Sequence, residues 1–330
     1  MPNSVFLDAF IAKNKTVPVW FMRQAGRYLP EYQAIRAKYS LDEMFANPEL
    51  ASEITCQPVD ILGVDAAILF ADILTLPAFM GVRISFDKTG PKIEPLTDYK
   101  KLHDFSDIPH IRKTIRLIKD RLKGKTPLIG FAGSPFTVLV YLIEGGGPGA
   151  GNKIFQLIYS RPEEYARLME KLTENTIKYL NLQKKEGIDA FQVFDTFAGL
   201  LSCAEYEKFV LPYLKKIFKN VFMPSIYFAK NTRELLPAIK KCGSDFLSVD
   251  HSVVIGERFL LDSTKQGIQG NLFNGLLFST EKDIERETKK ILQNAKKHKR
   301  FIFNLSHGVL QSTSVEKLRR VVEIVHGFKK

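Results

Sequence analysis

The sequence predicts an α/β protein built as a (β/α)8 TIM-type barrel, one domain over residues 1–330, with extended loops in its early βα units. Three observations carry this expectation. Eight short apolar runs punctuate the chain, and most are apolar nearly throughout, as parallel strands covered by helices are. The stretches between them place apolar residues at three- and four-residue spacing, the helical period. Polar residues follow the ends of most runs, the edge at which such barrels collect their chemistry.

In order, the runs are 17–22 (VPVWFM), 66–71 (AAILFA), 127–132 (PLIGFA), 190–195 (AFQVFD), 225–229 (SIYFA), 245–249 (DFLSV), 267–272 (GIQGNL) and 301–305 (FIFNL). The clearest helical pattern is 162–185, with Pro162 near its start, and others cover 109–123 and 313–328. Run starts are far apart early and close together late, so the early units must hold extra loops or helices. A doubly wound open sheet is the alternative. It calls for a nucleotide loop after the first strand, and Arg23-Gln24-Ala25-Gly26 is not one.

Composition narrows the class. Hydrophobic residues make up 45% and charged residues 25%, as in globular proteins that bury a core without staples. Cys56, Cys203 and Cys242 are odd in number and far apart, which argues for a reducing compartment and against a disulfide framework. The segment MPNSVFLDAF does not read as a signal peptide. The uncharged stretch 126–143 is broken by Pro127, Gly130, Gly133 and Pro135, so it reads as strand, turn and helix start rather than a membrane span. A cytoplasmic protein without a membrane partner is expected.

The net charge of +12 suits an anionic partner. Much of the excess lies in 282–300, where Ile284, Ile291 and Leu292 keep helical spacing. No aromatic residue interleaves its lysines, so a solvated helix face is favoured over a nucleic-acid site.

The residues after the runs converge on one edge: Arg23, Asp72, Gly133 with Ser134, Asp195 with Thr196, Asp250 with His251, Asn271 and His307. The chain has 33 Lys and 15 Arg, yet 23–36 holds Arg23, Arg27 and Arg36 and no lysine. The planar guanidinium fork pairs with carboxylates in a way an ammonium cannot, so this segment reads as an anion clamp. The bland alternative is internal pairing, for instance with Glu31, and it fits Arg36 better than Arg23. Asp72 sits in apolar ILFADIL, where a carboxylate needs a partner. It is either an acceptor for substrate N–H groups or a structural mate for an arginine. Tyr141 could face the pocket from the helix after 127–132, although a lone tyrosine there is more often core. His307, before Gly308, is a stronger candidate than His251. The glycines of 145–151 lack the lysine–hydroxyl pair of a P-loop and read as a turn or lid. No metal-ligand spacing, HExxH, G-x-S-x-G or nucleotide-cofactor signature is present.

PVWFMRQAGRYLPEY, GFAGSPFTVLVYLIEGG, FDTFAGLLS, QGNL and FNLSHGVLQSTSVEKLRRVVEIVH together resemble the uroporphyrinogen decarboxylase family, over residues 3–328. The arginine-rich segment is the most specific of these. The resemblance implies a single-domain barrel acting as a homodimer on a polycarboxylate tetrapyrrole, with no cofactor and no metal. It implies that Arg23, Arg27 and Arg36 meet substrate carboxylates and that Asp72 accepts hydrogen bonds from the pyrrole N–H groups. It likewise assigns Tyr141 and His307 to the active site, Thr196 to a hydroxyl position often held by serine, and Phe131 and Phe194 to the wall beside the macrocycle. Catalysis is expected from Asp72, Arg23, Tyr141 and His307, with His307 titrating near neutrality if unperturbed.

The chain departs from the family pattern at Phe136 for tryptophan, Ser134 for alanine, Gln33 for arginine, QGNLFN for QGNLDP, and VDHS for a D-W-T-type run. Two rivals stand beside this reading. One is a zinc-dependent corrinoid or thiol methyltransferase on a related barrel, which calls for His and Cys ligands at a spacing absent here. The other is a basic nucleic-acid module built on 282–300.

Overall fold

A computed structural model describes residues 4–87, 90–94, 102–147, 152–231, 233–257 and 266–329. Strands β1 (Ala67–Ile68), β2 (Ile84–Asp87), β3 (Gly90–Ile93), β4 (Leu128–Gly133), β5 (Ala190–Asp195), β6 (Ser225–Ala229), β7 (Phe246–Ser248), β8 (Gly267–Leu272) and β9 (Phe301–Leu305) follow in chain order. Seven of them form one sheet in the order β1-β4-β5-β6-β7-β8-β9, and every neighbouring pair is parallel. The antiparallel hairpin of β2 and β3 is an insertion after β1. It accounts for part of the wide early spacing and was not anticipated from sequence.

The sheet is curled, because buried side chains bond across it between strands that are not neighbours. Gln269 on β8 donates to Gln192 on β5, three strands away, at 3.0 Å; it also donates to Ser248 on neighbouring β7 at 2.9 Å and accepts from Trp20 Nε1 at 2.9 Å. These groups are fully or almost fully buried, where an unmade hydrogen bond costs more than a made one gains. Helices cover the outside. Pro162–Glu186 lies against β4, and Gln183 bonds both the N–H and the carbonyl of Phe131, at 3.0 and 2.8 Å. A side chain at Gly130 would collide with Gln183 and Ile188, so the glycine permits that approach. The expected helices appear as Pro109–Leu122, Pro162–Glu186 and Val315–His326.

The first expected strand, 17–22, differs. It makes a single bridge, Val19 to Phe303 on β9. Its amides are satisfied mostly by side chains. Val19 N donates to Asp65 Oδ2 at 2.7 Å, Phe21 N to Gln24 Oε1 at 3.0 Å, and Met22 N to Asn304 Oδ1 at 3.1 Å. On its other flank Asp65 N donates to the Val19 carbonyl at 2.8 Å. The segment therefore stands between β9 and the approach to β1. Among the described residues, no helix is long and apolar enough to cross a membrane. The uncharged stretch 126–143 holds β4 and most of helix Pro135–Glu144.

Asn304 is fully buried and also accepts from Leu305 N at 2.8 Å. Asn304→Leu strands the Met22 amide, so urea denaturation should show a loss of about 1–3 kcal/mol. Because Met22 precedes Arg23, kcat/KM of that variant should fall more than its stability alone accounts for.

Candidate active site

A cavity of about 290 Å³ opens at the C-terminal ends of the strands. Arg23, Asp72, Tyr141 and His307 line it, and so do Phe131, Phe194 and Thr196. Seven of the nine residues that the family resemblance assigns to the site thus meet in one place. Arg27 and Arg36 do not line it. Arg27 is exposed, with its carbonyl held by Gln33 Nε2 at 2.6 Å, and Arg36 Nη1 turns back to the Tyr39 carbonyl at 2.7 Å. Both lie within electrostatic reach of Tyr32, in the helix Pro30–Arg36 that follows the Arg23 segment.

Arg23 has a backbone φ of 58°, in the left-handed region. A non-glycine residue held there is strained, and such strain gathers at working sites. Its aliphatic stem lies over Gly308, where any side chain would collide with it. Among the described residues its guanidinium has no hydrogen-bond or ion-pair partner. The loop opposite is fixed by Val309 N donating to the Met22 carbonyl at 2.9 Å and by Asn274 Nδ2 donating to the Gly308 carbonyl at 2.9 Å. Asn274, one of the departures in QGNLFN, thus holds the loop that carries His307.

Asp72 comes four residues after β1 ends, and its Oδ1 accepts from Leu74 N at 2.8 Å. Burial pushes its carboxyl up to about 6, against the opposing pull of the Leu74 amide and of Arg23. A side chain at Gly133 would collide with Val138 and crowd Ile73, so this glycine lets the Asp72 loop close over β4. Burial and the Asp72 charge both raise the Tyr141 phenol, and its ring packs on Phe197 at 4.9 Å between centroids.

His307 does not titrate near neutrality. Burial, then Arg23 and Lys230, push it down to about 4, so it is a neutral imidazole at physiological pH. Its ring closes an aromatic wall. Phe131 meets Phe194 edge-on at 5.6 Å, Phe194 meets Phe228 at 5.7 Å, and Phe228 meets His307 at 5.8 Å. Phe228 was not singled out from sequence. Its signal is weak, one aromatic in an apolar run, and only alternation along β6 marks it as facing the cavity.

Other strand-end residues serve the frame. Asp195 is fully buried and accepts from Thr137 Oγ1 at 2.6 Å and Tyr227 OH at 2.8 Å. Asp250 receives the Asn231 amide and Ser252 N, the latter at 3.0 Å, and Asn271 Nδ2 bonds the Asp250 and Val253 carbonyls. His251 is exposed and packs on Phe273. Gly145 ends its helix at φ 81°, while 148–151 of the glycine-rich stretch lie outside the described residues. Among the described residues, no three His, Cys, Asp or Glu side chains are grouped to hold a metal ion. In helix Glu281–Ala295 three of the four basic residues pair with acids of the same helix, Arg286 with Asp283, Lys289 with Glu285 and Lys290 with Glu287, which fits a solvated surface.

A curled parallel sheet with a charged cavity at its C-terminal edge defines an α/β enzyme. The chain belongs to the uroporphyrinogen decarboxylase family, whose model, described as "Uroporphyrinogen decarboxylase (URO-D)", matches residues 1–328. A protein of Trichlorobacter lovleyi named uroporphyrinogen decarboxylase is 42% identical, and one of that name from Geotalea daltonii is 43% identical, each match covering 98% of both chains. Among solved structures, a methyltransferase from Methanosarcina mazei superposes with a TM-score of 0.84 at 20% identity, over 97% of both chains. A B12-independent methionine synthase from Shewanella gives 0.62 at 10% identity, over 86% of this chain and 89% of that one. At those identities the likeness is one of fold. The near-full-length relatives favour the decarboxylase over the methyltransferase.

The raised Asp72 carboxyl sets a sign for stability. A carboxyl whose folded pKa exceeds its unfolded value favours folding at low pH, and that advantage is lost as pH rises from about 4 to about 6. Asp72→Asn keeps the acceptor for Leu74 N without the buried charge. Thermal melts should show it more stable than wild type at pH 8, by about 1–3 kcal/mol at most, and no different near pH 3.

Proposed function

We propose that the cavity binds uroporphyrinogen III and converts its four acetate side chains to methyl groups, giving coproporphyrinogen III and CO2. One observation carries this reading. A lone carboxylate, Asp72, stands in an apolar wall beside Arg23, a guanidinium left without a partner among the described residues, so the site offers one acceptor and one carboxylate clamp to the same ligand.

Decarboxylation leaves an electron pair on the carbon that carried the carboxylate. The substrate's own pyrrole is the electron sink. A proton added to the ring carbon bearing the acetate arm gives a cationic, imine-like ring. The C–C bond to the carboxylate then breaks, its electrons flow into the ring and CO2 leaves. A second proton at the exocyclic carbon, with loss of the ring proton, yields the methyl group, for a net change of carboxylate plus proton to methyl plus CO2. Asp72, ionised above about pH 6, accepts the pyrrole N–H bonds and stabilises the cation electrostatically. Arg23 orients the reacting carboxylate, and Arg27 and Arg36 receive further arms at the entrance. Neutral His307 and the Tyr141 phenol offer hydrogen bonds; His307 is not a resident cationic acid. Thr196 contributes a hydroxyl, and Phe131 and Phe194 exclude water from the macrocycle face.

The same reading takes the segment 17–22 as the eighth, degenerate strand of a closed (β/α)8 barrel forming one domain over 1–330. The bridge to β9 and the Asp65 N–H bond on the other flank support it. A cytoplasmic homodimer follows from the family resemblance, and light scattering tests the oligomeric state.

Anaerobic incubation of metal-stripped protein with uroporphyrinogen III, followed by oxidation and chromatography, should show stepwise loss of carboxylates ending at coproporphyrin. Folded protein that leaves the substrate unchanged would overturn the proposal. Asp72→Asn should lower kcat by about 100-fold or more, and wild-type kcat/KM should fall as pH drops through about 6. Near-normal turnover in that variant would remove Asp72 from the mechanism.

A further inference from the structure

We propose that Lys230 is a further substrate-binding residue, holding a carboxylate arm of the macrocycle on the side of the mouth opposite Arg23; this rests on the decarboxylase reading. Every arginine assigned to the substrate comes from one loop, residues 23–36. A tetrapyrrole carries its acetate and propionate arms around the whole periphery. Cations along one side leave the arms on the far side without partners.

The strand order identifies the far side. With 17–22 beside β9 and β1, the path to β6 runs through β1, β4 and β5 one way and through β9, β8 and β7 the other. β6 is therefore diametrically opposite the segment that ends at Arg23. Lys230 directly follows β6, at the edge where the cavity opens. Lys230 stands two residues after Phe228, which lines the cavity, so alternation carried one residue past the strand would turn it toward the same face.

Its backbone is fixed. The Asn231 amide donates to the Asp250 carboxylate, Asn231 takes a φ of 56°, and Gly199 packs against the Lys230 carbonyl. The side chain is exposed and, among the described residues, makes no hydrogen bond or ion pair. Lys230 and Arg23 both depress the protonation of His307, so both cations lie within electrostatic reach of the same cavity-lining imidazole. A flexible ammonium with three donors suits an arm whose position shifts as successive rings are presented.

Steady-state kinetics with uroporphyrinogen III on wild type, Lys230→Met and Lys230→Arg test this, with thermal melts to confirm equal folding. Lys230→Met should raise KM about 5- to 10-fold, within the range of one solvent-exposed hydrogen bond, with kcat within about twofold. The rise should shrink at high salt, and Lys230→Arg should restore most of the affinity. An unchanged KM in folded Lys230→Met would overturn the inference while leaving the decarboxylase reading in place. Wild-type protein that leaves uroporphyrinogen III unconverted would overturn both.

Discussion

The seam between β9 and β1 is the constraint on which the rest of this structure depends. A curled parallel sheet must hide the edges of its terminal strands or leave backbone groups unpaired. Here the covering segment, 17–22, has almost no regular ladder. Asp65, Gln24 and Asn304 supply acceptors to its amides one by one. This irregularity lets the chain turn at once into the left-handed Arg23, whereas a regular strand would carry the side chain onward in an extended line. The same few hydrogen bonds thus finish the fold and aim the arginine.

The cavity works by opposing terms kept in balance. Burial raises Asp72 and lowers His307, so each loses charge relative to water, and Arg23 moderates the first while reinforcing the second. The outcome at neutral pH is one anion, one cation and one neutral ring within a mostly apolar wall. In such a setting charges are weakly screened, so the site gains strength from having few of them.

Much of this was legible in the sequence. Seven of eight runs became strands of one sheet because buried parallel strands must be apolar on both faces. Run 17–22 was legible as buried but not as irregular, since its amides go to side chains rather than to a ladder, and two of those acceptors, Asp65 and Asn304, are far away in sequence. The hairpin of β2 and β3 was missed because each strand has only four residues: Ile84–Asp87 alternates over too short a run to stand out, and Gly90–Ile93 starts on glycine and proline and does not alternate. Asp195 and Asp250 looked like site residues by position alone. Which way a strand-end side chain points depends on the turn that follows, and their partners, Tyr227 within β6 and Asn231 just after it, come from other units of the chain. Phe228 was invisible because an aromatic in a core strand and one at a cavity floor read alike. Arg27 and Arg36 follow the cluster in sequence, but the loop carries them away from the cavity.

The left-handed backbone at Arg23 also says something about how this chain can drift. At φ 58° glycine or asparagine would sit more comfortably than arginine. Random substitution that only had to preserve folding would replace the arginine there, and would then be free to enlarge Gly308, whose missing side chain makes room for the arginine stem. The two positions form a steric pair. A lineage that had abandoned the chemistry would be expected to lose the arginine first and the glycine afterwards, while the sheet around them stayed intact.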